Sequence, residues 1–244
     1  MNSRKPSGSL VDIYLPLAGP GTLPPPRAFL CYNDSMEAKI STIKNWLGTG
    51  SINIFGLPMS GKDTQGLRLA EALGAEFLSS GIIIRAKETE VHKGYSDHGA
   101  LIPTDVFYEW VLPYFAKPEL ASSPLILSSI GRWFGEEDAV MNSAKTANHE
   151  IKAVILLNIS EADVESRFEA AKTLGDRGDR KDDKDLETFR TRLLEFRTKT
   201  IPVLQHYKSL GLLVNVNGDQ PRNAVYAEII DRLYQKATSA PVAA

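Results

Sequence analysis

The sequence predicts an α/β fold, a doubly wound parallel sheet with helices on both faces. Three observations predict it. Apolar runs of strand length recur along the chain, stretches of helical spacing separate them, and a glycine-bounded loop with a lysine joins the first core strand to the helix after it. In such a sheet ligands gather at the carboxyl ends of the strands, which is where that loop falls.

Residues 1 to about 27 are rich in Ser, Gly and Pro and end in Pro24-Pro25-Pro26, the composition of an extended arm. Within them Val11-Asp12-Ile13-Tyr14-Leu15 is a short strand candidate. Asn33-Asp34-Ser35 offer N-caps to a helix whose apolar stripe is Met36, Ile40, Ile43 and Leu47, with Gly48 as its stop. Residues 1–48 are therefore expected to be an N-terminal extension, arm plus helix, and 49–244 the main domain. Buried parallel strands are expected at 52–55, 125–127, 153–157 and 212–216, with a shorter one at Glu76-Phe77-Leu78. From Lys172 to Arg192 the chain is dense in both charge signs and holds Gly175 and Gly178, which reads as an exposed excursion ending in a helix that starts near Leu186.

At 244 residues with 43% hydrophobic content, the chain can bury a sizeable core. A formal net charge of −2 gives no global attraction to nucleic acid or to an anionic membrane, so neither is expected as a partner. A single cysteine, Cys31, fits a reducing compartment. The N-terminal apolar stretch is broken by Asp12 and by prolines, so neither a signal peptide nor a membrane span is expected. The expectation is a cytoplasmic protein acting as a monomer.

The loop is Gly56-Leu57-Pro58-Met59-Ser60-Gly61-Lys62-Asp63-Thr64-Gln65, between Ile52-Asn53-Ile54-Phe55 and a helical segment from Gly66 to Leu73. Small residues let backbone N–H groups approach phosphate oxygens, the helix start adds its positive end, and the lysine supplies a point charge. Asp63 stands where such loops commonly carry Ser or Thr.

Widened, this loop resembles the opening of the adenylate kinase (nucleoside monophosphate kinase) family. Leu78-Ser79-Ser80-Gly81 with Arg85 resembles its monophosphate-binding segment, and Gly99-Ala100-Leu101-Ile102-Pro103 resembles a turn that follows. Leu127-Ser128-Ser129-Ile130-Gly131-Arg132 occupies the place of the family's Asp-Gly-Phe-Pro-Arg. Arg180-Lys181-Asp182-Asp183, Glu187 to Leu193, Thr200-Ile201-Pro202-Val203, His206-Tyr207 and Asn217-Gly218 continue in order, so the resemblance covers about residues 50 to 235.

The resemblance implies a three-layer fold of the P-loop NTPase type, with a central five-stranded parallel sheet. It also implies a monophosphate-binding helical insert at about 79–115 and a short lid at about 172–185. The lid has no Cys pair or His cluster and hence no zinc. The implied activity is ATP-dependent phosphoryl transfer to a nucleoside monophosphate, ATP plus AMP giving two ADP, with Mg²⁺. Lys62, Arg132, Arg180 and Arg192 are implied to act on the transferring group. ATP would meet Pro58, Met59, Ser60, Gly61, Lys62, Asp63 and Thr64, with Arg167 and Gly218 at its base. The monophosphate would meet Ser80, Gly81, Ile84, Arg85, Ile102, Arg132 and Glu136.

Four positions depart from the family pattern. Ser128 replaces an aspartate that orders water around Mg²⁺, and Asp63 replaces the glycine after the loop lysine. The two changes are expected to compensate, with Asp63 holding the metal or its waters; the alternative is a helix-start acid favoured by the dipole. Glu136 stands in place of an adenine-reading glutamine, which leaves CMP, UMP or dAMP open as acceptors. Ala171 replaces a phosphate-binding arginine, a role Arg177 would take over. The other alternative is a nucleotide-binding regulator that has lost transfer.

Overall fold

The computed structural model describes residues 27–91, 99–174 and 185–239. The chain divides into two compact units, Met1–Met36 and Glu37–Ala244. Of the first, only 27–36 are described, as the opening of helix α1 (Arg27–Leu47). Asn33-Asp34-Ser35 thus lie inside the helix instead of capping it. Helix α1 is already formed at Arg27, several residues before the caps the sequence offers, since a capping side chain favours a helix start but does not compel one. Its end agrees with the sequence: Gly48 takes φ 55 and its N–H donates to Lys44 O at 2.9 Å. Ile43 and Leu47 of the stripe are fully buried.

All five expected strands are present: β1 (Ser51–Gly56), β2 (Glu76–Ser79), β3 (Leu125–Ser128), β4 (Ile151–Asn158) and β5 (Leu213–Asn217). They form one parallel sheet in the order β2-β3-β1-β4-β5. Every residue of β1 is buried, and Ile52, Ile54 and Phe55 are fully so. Each such side chain contributes about 1.5–3 kcal/mol by leaving water. The helices between and after the strands are α2 (Lys62–Leu73), α3 (Ser80–Val91), α4 (Thr104–Trp110), α5 (Glu136–Thr146), α6 (Glu161–Leu174), α7 (Leu186–Glu195), α8 (Ile201–Ser209) and α9 (Arg222–Ser239). Helix α6 continues through Leu174, so the charged stretch opens as helix. Val11–Leu15, Arg177, Arg180, Asp182 and Asp183 lie outside the described residues.

The topology places the site. From β1 to β2 the chain steps towards one edge of the sheet, and from β3 to β4 it steps towards the other. Right-handed crossovers then put α2 and α5 on opposite faces. Helix α9 packs with α2, while α5 and α8 pack on β4 and β5, completing three layers. Connections leave the neighbouring strands β1 and β3 towards opposite faces, which opens a crevice at their carboxyl ends.

Candidate active site

On one side of the crevice stands the loop after β1. Ser60 is buried, and its Oγ fills the space above Gly56; a Cβ on Gly56 would lie 2.5 Å from that oxygen, so only glycine fits. Ser60 N–H donates to Leu57 O at 3.1 Å, and Met59 sits at φ 66. Gly61, at φ 87, precedes α2 without a capping side chain. The first amides of α2, from Lys62, Asp63 and Thr64, have no carbonyl acceptor within the helix and so suit an anion.

The loop after β3 forms the other side, and buried polar groups fix it. Asn53 on β1 grips Ile130 twice: its Nδ2 donates to Ile130 O at 2.7 Å and its Oδ1 accepts from Ile130 N at 3.3 Å. Ser129 N donates to Ile54 O at 3.0 Å, and Ser80 Oγ donates to Ser129 O at 2.8 Å, tying the start of α3 to the same loop. Ser129 reaches these partners at φ 53. Ser128 Oγ donates to Asp63 Oδ1 at 2.5 Å, joining the two sides directly.

Between them lies a cavity of about 360 Å³. Its wall includes Pro58, Met59, Gly61, Lys62, Asp63 and Thr64 from the first loop, and Ser80, Gly81, Ile84 and Arg85 from α3. Ile102, Arg132, Glu136 and Arg192 complete the set of sequence-derived residues brought together there. Arg192 comes from α7, and Gly99 lets the chain pass close to that helix: at φ 77, a Cβ would meet Thr188 O at 2.7 Å. Lys62, Arg85, Arg132 and Arg192 outnumber the carboxylates Asp63 and Glu136 on the wall, so the cavity attracts anions.

Two of these groups have shifted titration. Burial, and after it the neighbouring Arg192 charge, lowers the Arg132 guanidinium to about 10. Burial raises the Glu136 carboxyl above its ordinary range, against hydrogen bonds that favour its ionised form. Those bonds come from Arg132 N at 2.9 Å and Trp133 N at 3.0 Å to Oε2, and from Thr104 Oγ1 at 2.9 Å to Oε1.

Other sequence candidates lie elsewhere. Ser60 is packed inside its own loop and does not line the cavity. Arg167 and Gly218 meet each other outside it, Arg167 Nη2 donating to Gly218 O at 3.1 Å. Arg180 falls outside the described residues. The structure adds Phe107, Ser129 and Trp133 to the wall. Trp133 follows Arg132 directly, which is the signal that would have found it; its indole Nε1 is buried without a hydrogen-bond partner among the described residues, and the Lys199 ammonium lies 3.8 Å from its ring centroid.

The oxygen groups beside the loop, the Asp63 carboxylate and the Ser128 and Thr64 hydroxyls, are the hard donors that Mg²⁺ takes. Among the described residues no group of three or more His, Cys, Asp or Glu could hold a metal ion. The residues therefore fit a metal carried mainly by phosphate and water.

The adenylate kinase family model matches residues 54–212. An adenylate kinase of Agrobacterium fabrum is 32% identical over 192 residues, covering 75% of this chain and 97% of that protein. One from Sinorhizobium medicae is 34% identical over 182 residues, 71% of this chain and 94% of that protein. One from Phocaeicola vulgatus is 28% identical over 186 residues, 74% of this chain and 96% of that protein. With a phosphate loop and convergent arginines on one cavity at the switch of a five-stranded parallel sheet, the chain belongs to the adenylate kinase family, the nucleoside monophosphate kinases.

Proposed function

We propose that the chain transfers the terminal phosphoryl group of ATP to AMP, forming two ADP, with Mg²⁺ as the metal. The observation that carries this reading is the sharing of one cavity by the phosphate loop with Lys62 and by Arg85, Arg132 and Arg192 from three other segments. Phosphoryl transfer needs donor and acceptor held in line, with cations around the equatorial oxygens, and a single crevice of this kind supplies both.

The loop amides from Met59 to Thr64, other than that of Ser60, which donates to Leu57 O, hold the donor phosphates, and Lys62 balances the charge of the outer two. Ser80, Gly81 and Arg85 hold the acceptor phosphate, with its base towards Ile84, Ile102 and Glu136. Arg132 and Arg192 face the group in transit, where fixed positive charge is worth most because it needs no reorganisation. Mg²⁺, when bound, neutralises phosphate charge and fixes the geometry of the chain of oxygens. Arg167 and Gly218 meet the donor base, and Arg180, which lies outside the described residues, is assigned to the transferring group on the family resemblance alone. Conservative tuning of base choice rests with Glu136, whose fixed carboxylate accepts hydrogen bonds, so an amino-bearing base suits it. The single cysteine supports a reducing, cytoplasmic setting.

A panel of AMP, dAMP, CMP and UMP with ATP and Mg²⁺, followed by nucleoside diphosphate formation, tests the reading. AMP is expected to give the highest kcat/KM. A larger value for CMP or UMP would reassign the acceptor, and ATP binding without transfer to any monophosphate would favour a regulator.

A further inference from the structure

We infer that Asp63 and Ser128 act as one unit: Ser128 is a positioning residue that holds the Asp63 carboxylate towards the metal carried by the donor phosphates. The inference rests on the ATP and Mg²⁺ reading of the cavity. It begins from a contact between residues 65 positions apart, Ser128 Oγ donating to Asp63 Oδ1 at 2.5 Å. That length is typical of a hydroxyl on an ionised carboxylate. Ser128 is 1% exposed at the end of β3, so its hydroxyl has a fixed place from which to donate. Asp63 stands in the first turn of α2, whose dipole favours its ionised form.

Position gives this pair its chemistry. Both residues line the cavity, and Asp63 directly follows Lys62. The other wall carboxylate, Glu136, accepts from two backbone N–H groups and Thr104 at the acceptor side. Of the two carboxylates on the described wall, Asp63 is the one that belongs to the phosphate loop and α2, and a polyphosphate seated on those amides repels it. A divalent cation between the two anions turns that repulsion into attraction. Mg²⁺ suits the role because it retains several waters, whose protons a carboxylate accepts. The two positions where this chain departs from the loop and strand patterns are thus joined in space. The acid on α2 and the hydroxyl on β3 occupy one corner of the cavity.

A helix-start acid without this role would affect folding and leave metal dependence alone, so the test reads binding. The affinity of the full chain for ATP is measured by calorimetry with and without Mg²⁺, and the ratio of the two Kd values is the readout. In Asp63→Asn, metal-free ATP binds more tightly than in wild type and the gain from Mg²⁺ shrinks about tenfold, a change of about 1.4 kcal/mol. Ser128→Ala moves the ratio in the same direction by about threefold, and Ser128→Thr restores it. The exchange variant Asp63→Gly with Ser128→Asp keeps the wild-type ratio, because the carboxylate remains in the same corner. An unchanged ratio in Asp63→Asn, with ATP still bound, overturns the inference alone. Wild-type protein that binds no ATP overturns the donor-site reading and the inference together.

Discussion

Arg132 and Arg192, from the β3 loop and from α7, face one cavity closely enough that the Arg192 charge adds to burial in lowering the Arg132 guanidinium to about 10. Two like charges in one half-buried site favour any anion that enters between them. Removal of one such stabiliser from a transition state typically costs 10²–10³-fold in rate. Arg132→Ala and Arg192→Ala are each expected to lower kcat by about 100-fold or more. KM for ATP should change less, and the double variant should fall short of the product of the two effects. Steady-state kinetics checks this, and a kcat near wild type in either variant would remove that arginine from the transferring group.

A second prediction concerns pH. Glu136 has a folded-state pKa above its ordinary value of 4.5. Below that value both folded and unfolded chains carry the proton; as pH rises past it the unfolded chain ionises first, so the wild type loses stability until the raised pKa is passed. Glu136→Gln has no such proton to lose, and its amide oxygen still accepts from the Arg132 and Trp133 N–H groups. The difference in Tm between the variant and wild type should therefore grow in favour of glutamine from about pH 4.5 upwards and then level. A difference constant from pH 4 to 8 would contradict it.

Two residues other than glycine hold left-handed backbone in the site, and the balance of strain against burial gives them opposite signs. Met59, at φ 66, is 9% exposed and packs in the core. Relief of strain in Met59→Gly gains about 1–2 kcal/mol, but deleting a buried methionine side chain costs about 2–5 kcal/mol. The variant should lose stability, by up to about 4 kcal/mol, in denaturant unfolding.

Ser129, at φ 53, bonds to the described residues through its backbone: it donates from N to Ile54 O and accepts at O from Ser80 Oγ. Ser129→Gly keeps both and loses little packing, so stability should hold or rise by up to about 1 kcal/mol after the added freedom of the unfolded chain. A loss above that size would show that the Ser129 hydroxyl contributes to the loop.

Strands β1, β3 and β4 were legible because each holds a buried run of isoleucine, valine or leucine, as in Ala153 to Leu157 within β4, whereas β2 offered only Phe77 and Leu78 between polar residues. The start of α1 was not, since Asn33, Asp34 and Ser35 resemble caps although the helix already includes them. In the site, Lys62 and the arginines stood out because charge in an ordered motif is unusual. Phe107 did not, because an apolar wall residue has the same spacing as a core residue, and Trp133 was marked only by its place beside Arg132. The Asp63 and Ser128 substitutions were readable singly, but their contact needs the parallel register of β1 on β3, in which Ile54 lies beside Ser128. Arg167 and Gly218 were readable as a pair; that neither lines the cavity was not.

The stoichiometry of transfer tests the central claim most directly. With ATP, AMP and Mg²⁺ supplied together, ³¹P NMR should show two ADP formed for each AMP consumed, no ADP in the absence of AMP, and loss of both signals in Lys62→Ala. Release of inorganic phosphate from ATP at a rate independent of AMP would contradict a two-nucleotide kinase.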